Sequence, residues 1–488
     1  MQTIVVVGRK TDWTPKLEGV ELVLASDYLT DPSWSERRNV RMFNLCRSYR
    51  YQSEGYYVSL LAVARRHRPF PELMTVLEMK SRSVVRDVDE ELDALIQKSL
   101  GDLRAPTFQL SVYFGKNLAK RHERLARALF ARFPAPLLRA RFQRGERWRL
   151  TSIAPIGFRD VPASHRDFLH DAARDYFAKP RFRARSKKTF GYDLAILHDP
   201  KEELAPSDPK ALRRMARAAE KVGFAVEFLE RDDYGRLGEF DALFLRETTR
   251  VDHHTFRFAQ RAEALGLAVI DDPVSILRCT NKVFQTEAFH NRDVPTPRTW
   301  ITDRVDAAEI ERRVGFPCVL KIPDSAFSQG VVKCRDAEEL AREGARIMAA
   351  TDLLLVQEYL PSDYDWRIGV LAGEPLYACR YHMAQGHWQI VKRAASGKIR
   401  YGRTDTLPLA EAPAFVLDAA VRAAAAMGDG LYGVDLKQVE QRALVIEVND
   451  NPNLTAGDED KVLGEELYLR LMRVFLQRVE AKKRGSVA

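Results

Sequence analysis

Glu447 and Asn449 sit two residues apart in "VIEVNDNPN" (445–453), a stretch that opens as an apolar strand and breaks into Asp450-Asn451-Pro452-Asn453. Side chains alternate along a strand, so this carboxylate and amide share one face while Leu444, Ile446 and Val448 share the other. Hard oxygen ligands side by side are what Mg²⁺ takes. The same residues also spell an ordinary strand end and turn, so partners elsewhere must decide. Asp435, in "LYGVDLKQV" (431–439), is one such partner. Tyr432, Val434 and Leu436 are its strand's apolar face, and all are even-numbered like Leu444, Ile446 and Val448. Residues opposite one another in a hairpin share a face, so even must pair with even. A two-residue turn of Gln441 and Arg442 would set apolar against polar. An odd loop centred on Gln441 pairs Val434 with Val448, Leu436 with Ile446, and Asp435 with Glu447. Facing carboxylates have Cβ atoms only about 4.5–5.5 Å apart and call for a cation between them.

Positive charge is available in "PCVLKIPDSAFSQGVV" (317–332). Cys318, Leu320 and Ile322 face one way, and Val319 and Lys321 the other. A lysine on a buried strand needs an anionic partner. The loop at 324–330, with Ser328 and Gly330, can lay backbone N–H groups on a phosphate. It lacks the G-x-x-x-x-G-K-[ST] spacing of a Walker loop. The plain alternative is a snorkelling surface lysine beside an ordinary loop. In "LLLVQEYLPSDYDWRIGVL" (353–371), Gln357, Glu358 and Tyr359 lie at the exit of one strand, and Asp365 and Arg367 share a face at the start of the next. Backbone at such a hinge can hydrogen-bond an adenine edge, and Asp365 can accept from a ribose hydroxyl. Taken alone, the segment is a hairpin with charged corners.

The elements that must position these residues fall into regions. Residues 1–150 open with the strand "TIVVVG", followed by "NLCRSYRYQSEGYYVSLLAVARRH" (44–67), helical in its second half, and the alternating strand "APTFQLSVYFG" (105–115). A basic linker region is expected at 151–189. From Tyr192 strands and helices alternate: "LAILHD", a helix at 208–223 closed by Gly223, "FAVEFLE", "ALFLRE", a helix closed by Gly266, and "LAVIDD". That order implies an open α/β sheet with ligands at the strand ends. Arg246 and Glu247 lie at such an end, either as part of a site or as a surface ion pair. No repeat or low-complexity tract stands out.

A chain of 488 residues exceeds one core. No apolar run approaches the roughly 18–20 residues of a membrane span, and "MQTIVVVGRK" reads as a first strand rather than a signal peptide. The five cysteines show no C-x-x-C spacing, which argues against a disulfide framework or zinc and fits a reducing cytoplasm. The net charge of +9 concentrates in "RARFQRGERWRL" (139–150) and "KPRFRARSKK" (179–188). These runs lack the interleaved aromatics of a base-stacking surface, so tight nucleic-acid binding is not expected. His253, His254, His382 and His387 are candidate bases, with surface or satisfied core histidines the plainer reading.

Lys282, Lys321, the 324–330 loop, "QEY", Arg367, Asp435 in "YGVDLK" and "EVNDNPN" occur in an order that resembles the ATP-grasp superfamily, and within it the RimK-like carboxylate–amine ligases, over about residues 190–480. Residues 1–150, especially "RSYRYQSEGYYVSLLA", resemble the N-terminal domain that accompanies a subgroup of these proteins. The resemblance implies an α/β chain with an α+β ATP-grasp fold. Its parts would be a RimK-like N-terminal domain (1–150), the basic linker (151–189), an open-sheet pre-ATP-grasp domain (190–277), and a two-subdomain ATP-grasp domain with antiparallel sheets (278–488). It implies phosphate-contacting roles for Lys282 and Lys321, with Ser328 and Gly330 in the phosphate loop. It makes Gln357, Glu358 and Tyr359 the adenine hinge and Asp365 a nucleotide-contacting acid. Arg367 and Arg400 would act at the transferred phosphate, with Arg380 as a second candidate, and Asp435, Glu447 and Asn449 would bind metal.

There are departures from the family pattern. The phosphate loop has a single glycine, the motif ends Asn451-Pro452-Asn453 rather than in glycine, and "IRYG" lacks an Asn after Arg400. The implied activity is amide or peptide-bond formation through an acylphosphate, releasing ADP and phosphate, with glutamate or another amino acid added to a small molecule, peptide or protein. ATP and Mg²⁺, or Mn²⁺, are the implied cofactors. An amino acid and a carboxylate acceptor are the implied partners, with no membrane partner and homo-oligomer formation left open. The alternatives are a phosphotransferase on the same fold, and a nucleotide- or nucleic-acid-binding module.

Overall fold

The computed structural model describes residues 2–37, 40–80, 90–178, 190–324, 330–349, 351–384, 388–393 and 399–485. The chain divides into two compact units, one of residues 1–195 and 223–241, the other of 196–222 and 242–488.

The first unit is built on a parallel sheet. Strand Gln2–Val7 is flanked by Val20–Leu24 and Val40–Asn44, and Arg68–Phe70 lies beyond the latter. Both faces are apolar, as buried parallel strands require. Ile4, Val6 and Met42 pack with Val58 and Ala62 of helix Glu54–Ala64. Val5, Val7 and Phe43 join a larger core with the antiparallel strands Thr107–Tyr113, Leu137–Arg144 and Trp148–Pro155. Residues 151–178, expected within a linker, hold the end of that last strand and helix Arg166–Phe177, whose Leu169, Ala172 and Phe177 are core residues. The basic run at 179–188 lies outside the described residues.

In the second unit, strands Ala242–Leu245 and Ala268–Ile270 pair in parallel around helix His254–Ala264. Gly223 (φ +105°) and Gly266 (φ +76°) end helices as their positions suggested. Two antiparallel sheets follow. The first has the order Thr299–Thr302, Leu354–Glu358, Cys318–Lys321, Val331–Cys334. The second has the order Thr404–Leu407, Glu374–His382, Tyr364–Leu371, Leu431–Val439, Arg442–Asp450. Helix Ala414–Met427 seals one face of the second sheet through Val416, Ala420 and Ala423, packed with Ile368, Val434 and Val448.

The hairpin joining the last two strands corrects the expected register in part. Val434 pairs with Val448 and Asp435 with Glu447, but Leu436 pairs with Val445, not Ile446. The turn is the two residues Glu440 and Gln441, with Glu440 in the left-handed region (φ +52°), rather than an odd loop. A β-bulge at Val445 and Ile446 supplies the missing residue and restores the pairing that parity demands. Val445 is therefore the core residue, and Ile446 is turned to the opposite face.

A repeat invisible in the residues is plain in the structure. In the first unit, a strand ending at Asn44 leads to an eleven-residue helix Glu54–Ala64, a left-handed residue at Arg66 (φ +59°), strand Arg68–Phe70 and helix Leu73–Glu78. In the second, Ala242–Leu245 leads to an eleven-residue helix His254–Ala264, Gly266, strand Ala268–Ile270 and helix Pro273–Thr280. Even the strand-exit bond recurs: Leu45 N–H donates to Val6 C=O (2.9 Å) and Arg246 N–H to Leu197 C=O (2.8 Å). The copies share apolar pattern and backbone but few side chains. Because residue 266 needs φ > 0, Gly266→Ala is expected to lower unfolding free energy by about 1 kcal/mol, read as a shift of the urea midpoint at unchanged m-value.

Candidate active site

The two antiparallel sheets of the second unit present their polar faces to one pocket. It is lined by Lys282, Lys321, Asp365, Asp435, Lys437 and Glu447, with Val319, Val331 and Ile446 as apolar walls and Tyr359 and Trp388 at its rim. Lys321 faces it as its strand's alternation requires, while Cys318 and Leu320 enter the core behind. Lys282 opens helix Lys282–His290, whose Asn281 cap accepts from Phe284 N–H (2.8 Å). Asn281 also donates to Asp324 Oδ1 (2.7 Å). Gly330 takes φ +70°, and a Cβ there would collide with Ile322 Cδ1. Ser328 falls outside the described residues.

Asp435 and Glu447 are directly opposed. Arg367, one strand over and paired with Asp435 in register, grips it with both Nε and Nη2, the latter at 2.7 Å. Asn449 Nδ2 donates to Asp435 Oδ2 (3.1 Å), and Lys282 Nζ lies 3.7 Å from Glu447 Oε2. Burial raises the Asp435 carboxyl to about 6 against the pull of Arg367, with the Glu447 charge adding to the rise. Burial acts the same way on Glu447, but Lys282, then Lys321 and Arg367 outweigh it and hold that carboxyl below its usual range. Lys321 is brought down to about 8 by burial; Glu447 opposes the shift and Lys282 adds to it.

At the hinge, Glu358 turns its carboxylate to Arg298, accepting from its N–H (2.9 Å) and Nε (2.7 Å). Gln357 donates to Thr299 Oγ1 (2.9 Å). The Tyr359 ring carries Lys333 Nζ at 3.5 Å over its centroid and meets Trp388 edge-on. Asp365 is paired with Lys437 (2.6 Å). Lys437 was legible by parity with Asp435, two residues before it. Ile446 was not, because the bulge that turns it leaves no mark in the sequence.

Arg380 belongs elsewhere, correcting its candidacy. It pairs with Trp366 across strands and covers the Tyr364 and Trp366 rings, on the sheet face opposite Arg367 and Asp435. Arg400 lies on strand Ile399–Tyr401; its side chain, like His387, is outside the described residues. His382 is paired with Asp405 (2.8 Å) and His254 with Glu247 (2.8 Å).

Arg246 and Glu247 are not a surface pair. Arg246 is fully buried and binds the turn that ends strand Arg442–Asp450: Nη1 to Asn451 Oδ1 (2.6 Å), Nη2 to Pro452 C=O (2.8 Å) and Pro206 C=O (2.6 Å), and Nε to Ser207 Oγ (3.0 Å). Asp271, raised by burial to about 7, accepts from Asn451 N–H (2.7 Å) and Leu431 N–H (2.8 Å). Asn451 takes φ +45°. The Asp-Asn-Pro-Asn break is thus a buried anchor that fixes Asn449 and Glu447 in place.

Residues 25–172 match the RimK-like ATP-grasp N-terminal domain, and residues 279–473 match the RimK-like ATP-grasp domain. The chain belongs to the RimK-like ATP-grasp family of carboxylate–amine ligases. An α-aminoadipate–LysW ligase of Saccharolobus solfataricus is 25% identical over 49% of this chain and 88% of its own. A probable α-L-glutamate ligase of Psychromonas ingrahamii is 27% identical over 44% of this chain and 70% of its own. Among solved structures, the D-alanine–D-alanine ligase of Bacillus anthracis is 15% identical, with a TM-score of 0.48 over 60% of this chain and 99% of that one.

Two expectations follow. Arg246→Met leaves buried carbonyls and Asn451 unsatisfied, and should cost about 3 kcal/mol or more by thermal or denaturant unfolding. Lys321 binds anions only while protonated. ATP affinity should therefore fall as pH rises through about 8, by titration calorimetry at pH 7 and 9, and Lys321→Met should flatten that dependence while weakening binding at pH 7.

Proposed function

We propose that the chain joins a substrate carboxylate to the amine of an amino acid, with ATP bound between the two antiparallel sheets. The supporting observation is the convergence of Lys282, Lys321, Asp435 and Glu447 on one pocket with apolar walls. Val319, Val331 and Ile446 suit the faces of a purine, and the backbone at Glu358 and Tyr359 its edge. Asp365, held by Lys437, suits a ribose hydroxyl. Lys282 and Lys321 take the phosphates.

The residues present fit a divalent cation. Among the described residues no group of three or more His, Cys, Asp or Glu side chains assembles. The set on offer is two facing carboxylates and the Asn449 amide, which suits an ion completed by phosphate oxygens. Asp435, Glu447 and Asn449 would hold Mg²⁺, which supplies neutralisation of the phosphate charge when bound.

In the reaction, a carboxylate oxygen attacks the γ-phosphorus, the bond to the bridging oxygen breaks, and ADP leaves. The amine nitrogen then attacks the acyl carbon, phosphate departs with the bonding pair, and the nitrogen loses its proton. Arg367 and Lys321 supply fixed positive charge beside the transferred group, and Arg400 is assigned there by its place in the family pattern. Relatives named as α-L-glutamate and α-aminoadipate–LysW ligases support an amino acid as one substrate.

A screen of amino acids and peptides with MgATP is expected to release ADP and phosphate in step with an amide product found by mass spectrometry. AMP and pyrophosphate would reject the acylphosphate route. A stable phosphorylated product without an amide would assign a phosphotransferase instead.

A further inference from the structure

The repeat in the two units extends beyond their parallel strands. Thr107–Tyr113, Leu137–Arg144 and Trp148–Pro155 form an antiparallel sheet in that order, as do Tyr364–Leu371, Leu431–Val439 and Arg442–Asp450. Each final hairpin carries one bulge. In the second unit the register shifts after Asp435–Glu447; in the first it shifts after Arg141–Ser152, where Phe142 pairs with Leu150. Helix Glu123–Arg132 packs on Leu110 and Ala140, as helix Ala414–Met427 packs on Ile368 and Val434. Aligned at the bulge, Gln109 stands for Arg367, Arg141 for Asp435, Ser152 for Glu447 and Ala154 for Asn449. The first unit thus repeats the scaffold of the second with every metal ligand replaced and the sign of the key charge reversed.

That face is open. Gln109, Arg141, Gln143, Arg149 and Ser152 are exposed. Among the described residues Arg141 and Arg149 have no carboxylate within ion-pair distance. Arg139, on the same face, donates to Asp160 C=O (2.6 Å) and keeps a buried Nε without a partner. Arg139 and Arg141 are two apart on a strand, about 6.6 Å, which is also the spacing of alternate side chains in an extended peptide. Guanidinium forks pair with carboxylates in bidentate geometry. No aromatic side chain projects from this face between these arginines, so it offers no stacking platform for nucleobases.

We propose that this sheet face of the N-terminal unit binds an acidic peptide segment, with Arg141 and Arg149 pairing its carboxylates. The proposal goes beyond the ligase reading and uses none of the residues that line the nucleotide pocket.

The test is fluorescence anisotropy of a labelled glutamate decamer with the full chain, without nucleotide. Binding that weakens as salt rises is expected. Arg141→Gln/Arg149→Gln should bind about tenfold more weakly, Arg141→Lys/Arg149→Lys should fall between the parent and the Gln variant because it keeps the charge and loses the fork, and both variants should keep the parent's circular dichroism and ATP affinity. No binding by the parent, or equal binding by the Gln variant, overturns the proposal. Tighter binding of a thymidine decamer, lost in the same variant, also overturns it in favour of nucleic acid. Failure of the ligase reading would appear in the ATP and product assays and leave this result unchanged.

Discussion

Two carboxylates facing each other across a hairpin are the constraint to which the rest of the second unit answers. Asp435 and Glu447 cannot be brought together in a buried pocket without compensation. Arg367 meets the one and Lys282 the other, from a neighbouring strand and from the first turn of a helix. The concentration of positive charge that suits a triphosphate is therefore also what lets the acidic pair exist in the folded protein. A carboxylate left without its cation would shift to its neutral form, and Asp435 is already displaced in that direction.

Behind this pair lies a second polar layer with a different task. Arg246, Asp271 and Asn451 form a buried network that joins the end of a parallel-sheet strand to the end of the strand that carries Glu447 and Asn449. Its members do not line the pocket. Their role is to make the position of Glu447 and Asn449 a property of the scaffold rather than of a free strand end.

Alternation made most of the site legible. Lys321 apart from Cys318 and Leu320, and Asp435 opposite Glu447, follow from counting residues along strands, because burial on one face leaves a single acceptable register. What alternation could not give was the bulge, since an extra residue in one strand preserves the apolar pattern on either side of it. Arg380 was misplaced for a related reason: an arginine can spread over the Tyr364 and Trp366 rings on a covered face as readily as point to a phosphate, and its type alone does not say which. The duplication is masked in the sequence because the two copies conserve backbone geometry and apolar pattern while exchanging polar side chains. Arg66 in place of Gly266, and Arg141 in place of Asp435, remove the residues by which a repeat is usually recognised.

The bulge also separates the tip of its hairpin from the base. In one copy the strands are joined by Glu440 and Gln441, in the other by the three residues 145–147, and yet the pairs beyond the bulge fall into the same alignment. Each hairpin holds one extra residue at the bulge, and the two copies differ in length only between the bulge and the tip. Turn length is thereby freed to drift among descendants of this scaffold, while the spacing between the bulge and the strand end is held, and only the latter is a reliable ruler for locating equivalent ligands in a distant relative.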